Sequence, residues 1–180
     1  MNEPVGDTAD LRSGVPVHGS LLALLPLVGV WAGQGAGVKP SSGEPFSYLQ
    51  QVRFAHDGRP FLVYSSSAWL LDSSGAVLRP AARESGFWRP GPGPDDIEAV
   101  LALNTGLTLV LTGTAGDQRW ELSTSSIVGT PTAKHVDGNR RLYASAGDEL
   151  SYAQELAPAG LPLAPHLSAR LARVPVPAAQ

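Results

Sequence analysis

The sequence predicts an all-β protein whose strands, about ten in number, close into an antiparallel up-and-down barrel. Short extended segments follow one another along the chain, separated by turn signals at intervals of roughly 8–12 residues, which is typical of sandwiches and barrels. Long helical periods are absent, which argues against a parallel sheet with crossover helices. A sheet of about eight or more strands can close and still leave room for one small ligand, so we favour the barrel over the sandwich.

Composition supports one globular domain. The chain has 180 residues, 43% of them hydrophobic and 16% charged, which favours a sizeable core over disorder. The net charge of −3 does not indicate the basic surface that binds nucleic acid. Cysteine is absent, which excludes disulfides and thiolate metal sites.

The chain ends lie outside the predicted barrel. Residues 1–18 mix glycine, proline and acidic residues without a period, and we expect a disordered tail; the barrel domain is expected over residues 19–174 and a short flexible tail over 175–180. The apolar run 21–28 is predicted to be a short helix docked on the core. It falls short of the roughly 20 residues of a membrane span and lacks a positively charged start, so we expect a cytoplasmic protein with no membrane partner.

The strands follow this helix in order, starting with residues 29–38. The next predicted extended segments are 46–54, 61–71, 77–89, 97–103, 107–114, 119–124, 140–146 and 149–156. Asp72-Ser73-Ser74-Gly75 reads as a hairpin loop, and the alternating prolines and glycines of 90–94 break the chain. The last segment, 161–171, is compatible with a strand or with a short helix after Pro165.

Glycine or tryptophan occupies every second position of residues 29–37, so a strand here places them all on one face. These residues are Gly29, Trp31, Gly33, Gly35 and Gly37. Glycines inside a strand mark a bend or a close approach of ligand or backbone. Two interpretations stay open: a device that bends a barrel strand, or a bed for a flat ligand. A dinucleotide site is disfavoured because Lys39-Pro40 follows where that site needs a helix.

Of the four histidines, only His166 is a candidate ligand. His18 lies in the expected tail, and His56 and His135 stand next to Asp-Gly turns, so we expect all three to be exposed. A single histidine cannot build a zinc site, which needs three or four protein ligands. It can hold haem iron, because the porphyrin supplies four other ligands.

Several ordered blocks between about residues 21 and 173 resemble the nitrobindin family. The blocks are Gly29-x-Trp31-x-Gly33-x-Gly35, Pro45-Phe46-x-Tyr48, Phe54-x-His56-x-Gly58-x-Pro60, the run 84–90, Thr132-Ala133-Lys134 and the run 165–169. The resemblance implies a ten-stranded barrel like that of fatty-acid-binding proteins, holding one ferric haem b through an axial histidine that matches His166. It also implies binding of nitric oxide and isomerisation of peroxynitrite to nitrate.

The same resemblance suggests which other residues surround the haem. We expect Lys134, Trp31, Gly33, Gly35 and Ser41 to contribute to haem binding, with Trp31 plugging the barrel end. Ala82 and Leu103 stand where family members often have histidine, which removes polar groups from the haem face. The alternative function is therefore a carrier or sensor barrel, for haem or another hydrophobic ligand, without turnover; the oligomeric state stays open.

Overall fold

The computed structural model describes residues 6–175 and shows a closed antiparallel barrel of ten strands. A 3-10 helix, Gly19–Leu27, precedes them. The strands are β1 (Gly29–Val38), β2 (Pro45–Ala55), β3 (Leu62–Leu71), β4 (Val77–Pro90), β5 (Asp96–Leu103), β6 (Leu107–Gly116), β7 (Arg119–Gly129), β8 (Val136–Ala146), β9 (Glu149–Pro158) and β10 (Ala164–Val174). Each strand pairs with the next one in sequence, and β1 pairs with β10 to close the ring. The predicted ten-stranded up-and-down barrel is confirmed.

The 3-10 helix closes one end of the barrel. Its buried residues Leu21, Leu24 and Leu27 recur every third position, the period of a 3-10 helix, so one apolar edge faces the core. Two buried indoles fix it by donating to its carbonyls: Trp31 Nε1 to Leu27 O at 2.8 Å and Trp120 Nε1 to Ala23 O at 2.8 Å. The predicted helix is confirmed, and no helix within residues 6–175 has the length and hydropathy to cross a membrane.

Within the stretch where a disordered tail is expected, the part that the structure describes, from residue 6 onward, contacts the barrel. Thr8 and His56 exchange backbone hydrogen bonds of 2.8 and 2.9 Å, and Arg53 pairs with Asp7 at 3.0 Å. This cover makes the predicted exposure of His56 wrong, since the residue is only 1% exposed. Residues 1–5 and most of the expected tail at 175–180 lie outside the described residues.

Strands β7 and β10 shape the end of the barrel opposite the helix. Strand β7 runs to Gly129, five residues beyond the predicted end, yet its pairing with β8 stops at Ser123 opposite Arg140. The barrel wall therefore parts between these strands at the end opposite the helix. The C-terminal segment is a strand, as one of the two open interpretations had it, and it returns His166 to that same open end.

Candidate functional site

His166 is the extra residue of a β-bulge near the start of β10. Pro165 lies opposite Glu155 and Leu167 lies opposite Gln154, so His166 has no partner on β9. Strict alternation would group His166 with Ser168 on the face away from Leu167. A bulge re-aims a side chain, and here His166 and Leu167 both line the cavity inside the open end of the barrel.

A backbone carbonyl orients the imidazole of His166. Its Nδ1 lies 2.9 Å from Val38 O, and because a carbonyl only accepts, Nδ1 carries the proton. The lone pair then belongs to Nε2, which hydrogen-bonds to no group among residues 6–175. Burial lowers the pKa of His166 below its ordinary value, against the opposing effect of the Val38 carbonyl, so the ring is neutral near pH 7. A neutral imidazole with a fixed Nδ1 proton is the form that binds a metal through Nε2.

The cavity beside His166 measures about 190 Å³ and has an apolar mouth and a polar floor. The apolar residues that line it are Phe46, Ala68, Leu70, Ala81, Ala82 and Leu167. A groove of about 490 Å³ reaches the same histidine from the outer side of the bulge, past Val38, Pro45 and Pro165. The imidazole therefore lies at the junction of an inner cavity and an outer groove.

A buried ion pair forms the floor of the cavity. Arg141 donates to both carboxylate oxygens of Glu84, at 2.7 and 2.8 Å, and Tyr64 donates to the same carboxylate at 3.1 Å. Burial raises the pKa of Glu84, but the Arg141 guanidinium outweighs it and holds that pKa below its usual range. The pair is therefore ionised and adds no net charge to the cavity.

Further polar side chains line the cavity wall between the floor and the mouth. Tyr48 and Tyr152 bring their hydroxyl oxygens to 2.6 Å, and Tyr48 donates to Ser168 O at 3.1 Å. Gln50 donates to Ser66 at 2.8 Å, whereas its buried Oε1 accepts from no described residue. The wall is therefore lined by hydroxyl groups that are already hydrogen-bonded, and it holds one buried acceptor without a partner among the described residues.

The glycine face of β1 is covered by two aromatic side chains of β2. Tyr48 lies opposite Gly35, and Phe46 lies opposite Gly37. A Cβ on Gly35 would collide with the Tyr48 ring and lie 2.6 Å from Ser168 O; one on Gly37 would lie 2.6 Å from Phe46 and 2.7 Å from Leu167. The flat groups that pack on these glycines are therefore the rings of Tyr48 and Phe46. Because the glycines have no side chains, β1, β2 and β10 lie close together.

The other predicted haem contacts lie apart from this cavity. Trp31 is fully buried at the helix end, where Arg173 stacks on its ring at 4.0 Å. Gly33 faces the β10 backbone at Arg170 and Leu171. Ser41 and Lys134 are exposed in the β1–β2 and β7–β8 loops. None of the four lines the cavity with His166.

The two positions that depart from the family pattern differ in their surroundings. Ala82 lines the cavity and brings no polar group to it. Leu103 is half-buried and lines a separate surface groove beside Ser66 and Glu84. Only Ala82 therefore changes the chemistry of the cavity directly.

Sequence reasoning missed Gln50, Arg141, Tyr143 and Tyr152. Their signal is the alternation of buried positions along β2, β8 and β9, which repeats every second residue. In the pair Arg140–Arg141, sequence alone cannot say which arginine points inward, and the inward one holds Glu84.

Known proteins resemble this chain over nearly its whole length. Residues 20–173 match the family model described as THAP4-like, heme-binding beta-barrel domain. The chain belongs to this family. Peroxynitrite isomerase of Salinispora arenicola is 46% identical over 175 residues, covering 95% of this chain and 89% of that protein. Ferric nitrobindin-like protein of Saccharopolyspora erythraea is 46% identical over 172 residues, covering 94% and 81%. The resemblance to nitrobindin is thus confirmed.

A solved structure gives the same result for the fold. The crystal structure of Rv2717c from M. tuberculosis superimposes with a TM-score of 0.79 at 40% identity, covering 88% of this chain and 99% of that one. In this THAP4-like haem-binding barrel, the residues at the open end fit a haem. They combine one neutral imidazole, an available Nε2 and an apolar mouth, and no cluster of three or more acidic, histidine or cysteine side chains within residues 6–175 could hold a bare metal ion instead.

Proposed function

We propose that this protein binds one ferric haem b through His166 and isomerises peroxynitrite to nitrate, with nitric oxide as a second small ligand. The observation that carries the proposal is the hydrogen bond from His166 Nδ1 to Val38 O, which leaves Nε2 as the only ring atom able to bind iron. The names of relatives such as the peroxynitrite isomerases of Salinispora arenicola and Streptomyces griseus supply the reaction.

The protein's own contribution is orientation and a controlled environment. The bulge and Val38 hold the His166 ring in one tautomer, which fixes the direction of its lone pair. Phe46, Leu70 and Leu167 give the cavity an apolar mouth, against which a porphyrin ring would pack. A ferric haem held by His166 would supply the iron chemistry that activates the O–O bond of peroxynitrite.

The haem propionates need cations or water at the open end. Lys134 is exposed and forms no ion pair with any residue between 6 and 175, whereas Lys39 is paired with Glu44 at 2.8 Å. We therefore assign Lys134 to a propionate, with exposed Ser41 as a second polar contact. Gly33, Gly35 and Trp31 contribute indirectly, since they set the position of β10.

The experiment is a haemin titration followed by stopped-flow kinetics. The full-length protein should develop a Soret band with haemin, accelerate peroxynitrite decay and raise the nitrate yield. His166→Ala should abolish both effects, and His135→Ala, at an exposed loop histidine, should leave them unchanged. A Soret band that is identical in His166→Ala contradicts the axial role.

A carrier or sensor without turnover is the second candidate, and Ala82 favours it. The alanine supplies no hydrogen-bond donor to an anionic ligand in the cavity. If the haem-loaded protein binds nitric oxide but peroxynitrite decays no faster than in buffer alone, the protein is a carrier or sensor.

A further inference from the structure

All four tyrosines of this chain line the cavity beside His166. Tyr48, Tyr64, Tyr143 and Tyr152 are between 2% and 6% exposed, and the open space that their side chains line is this cavity. Burial raises the pKa of Tyr48 to about 12 and raises the pKa of Tyr152 as well, so both keep their hydroxyl protons at neutral pH. Any reaction of a phenol in this protein must therefore take place in the cavity.

Tyr48 and Tyr152 differ in their hydrogen bonds. Its own O–H donates to Ser168 O at 3.1 Å, so the 2.6 Å contact with Tyr152 is donated by Tyr152. Loss of the hydrogen atom from Tyr48 leaves an oxygen that still accepts this hydrogen bond. A buried hydrogen bond to the phenoxyl oxygen stabilises the radical, which makes Tyr48 the easier of the two to oxidise.

Tyr48 is also the tyrosine on the His166 side of the cavity. Phe46 lies between them, with ring centroids 6.1 Å from Tyr48 and 6.4 Å from His166, and Tyr48 contacts the backbone two residues beyond that histidine. Tyr64 instead donates to Glu84 at the floor. An oxidant that enters past His166 therefore meets Tyr48 before the floor.

We propose that Tyr48 is a nitration site, at which the protein consumes peroxynitrite that escapes isomerisation. Peroxynitrous acid takes the hydroxyl hydrogen atom of Tyr48, which forms water, nitrogen dioxide and the Tyr48 phenoxyl radical. Nitrogen dioxide then adds to the ring carbon next to the oxygen, and that carbon loses its proton to restore the phenol. One peroxynitrous acid is consumed and one water is formed for each 3-nitrotyrosine.

The neighbouring aromatic residues are the competing sites. Tyr143 stacks on Tyr152 at 5.5 Å and on its other side contacts Trp88 at 5.3 Å. The indole N–H of Trp88 is buried and donates to no described residue, so an oxidised Trp88 has no acceptor for its proton. Modification should therefore stay at Tyr48 and not move inward to Trp88.

The test exposes the full-length protein to peroxynitrite at neutral pH, both as purified without haem and after haemin loading, and maps nitration by peptide mass spectrometry. Tyr48 should carry most of the nitro groups in the folded haem-free protein, whereas the urea-unfolded chain should be nitrated at all four tyrosines. Nitration spread evenly over the folded protein, or concentrated on Tyr64 or Tyr143, overturns the proposal.

Two variants test whether Tyr152 promotes nitration of Tyr48 through its hydrogen bond or only shields Tyr48 from the oxidant. Tyr152→Phe should lower nitration of Tyr48 about fivefold, the factor that corresponds to a hydrogen bond of about 1 kcal/mol. If Tyr152 only shields Tyr48, the same variant raises nitration, and that result overturns the proposal. Tyr64→Phe is the matched control and should leave the nitrated fraction of Tyr48 unchanged.

The inference rests on the proposed function only for the identity of the oxidant. Failure of isomerisation is read from the decay rate of peroxynitrite in the haem-loaded protein. Failure of the nitration site is read from the peptide map of the haem-free protein, so the two results are independent.

Discussion

His166 Nδ1 lies 2.9 Å from the carbonyl oxygen of Val38, the last residue of the glycine-rich strand. This contact joins the two features that stand out in the sequence, the glycine run of β1 and the single candidate ligand on β10. Gly37 lies opposite Leu167 in the β1–β10 pairing, next to the bulge. The glycines thus bring β1 close enough to β10 for its end to orient the imidazole.

Haem binding should weaken on acidification through His166. Burial lowers the pKa of this histidine below 6.5, so the ring is neutral and able to bind iron above that lowered value. As the pH falls through it, a proton competes with iron for Nε2, and the haem affinity falls by up to about tenfold per pH unit. A haemin titration followed at the Soret band from pH 7.5 to pH 4.5 measures this.

The control for this titration is His135→Gln, in which an exposed histidine near the open end is replaced. It should show the same acid limb as the unmodified protein. An affinity that stays constant down to pH 4.5 contradicts iron binding by His166 Nε2.

Gly35→Val should destabilise the fold more than it weakens haem uptake. The sequence left two interpretations of this glycine, and the contacts of a Cβ with Tyr48 and with Ser168 O favour close strand packing over a porphyrin bed. Overpacking of this kind destabilises by about 1–3 kcal/mol, and a backbone carbonyl cannot move away easily. Urea unfolding measures the loss.

Gly116→Val is the matched control, because this β6 glycine has open space around its Cβ position. Its free energy of unfolding should change little. If the Gly35→Val protein keeps its stability but no longer takes up haemin, the interpretation of the glycines as a bed for a flat ligand is correct instead.

The barrel could be predicted from sequence because its signals are local. Turn residues and alternating apolar positions define each strand, and ten such strands close without further information. The bulge at His166 could not be predicted in this way. Alternation assigns His166 to the face of Ser168, and only the unequal pairing of β9 and β10 turns it into the cavity.

The ion pair at the floor of the cavity could not be predicted from local sequence patterns either. Glu84 belongs to a recognised block, but its partner Arg141 lies 57 residues later on a strand that is not its neighbour. The pairing becomes visible only when the closed barrel brings the inner faces of β4 and β8 together. Long-range contacts across a barrel interior leave no trace in the spacing of either residue.

Glu84→Leu should destabilise the protein strongly because it leaves Arg141 buried without a counter-charge. Breaking a buried pair from one side destabilises by about 3–5 kcal/mol. The double variant Glu84→Leu/Arg141→Met should recover much of that loss, since an apolar pair can replace a buried ion pair. Urea unfolding of the three proteins measures both effects.

The exposed pair of Arg140 with Glu121 provides the comparison. Arg140→Ala should change stability little, because water screens a surface ion pair. A Glu84→Leu protein as stable as Arg140→Ala shows that Arg141 finds another way to be solvated.

Acid should destabilise the fold through His56, independently of haem. This histidine is 1% exposed beneath the Thr8 bridge, and neither ring nitrogen has a partner among residues 6–175. Burial lowers its pKa below 6.5, against the opposing charge of Asp57. Between 6.5 and that lowered value the unfolded chain binds a proton that the folded one does not, so stability is full above pH 6.5 and falls as the pH drops.

The measurement is the free energy of unfolding in urea from pH 7.5 to pH 5 for the haem-free protein and for His56→Leu. His166 has a lowered pKa too and acts in the same direction, so only the difference between the two proteins reports on His56. His56→Leu should flatten the acid limb, because no group at that position can bind a proton in the unfolded chain. Parallel pH profiles for the two proteins would mean that His56 gains a proton in the folded state, with Thr8 released from its bridge.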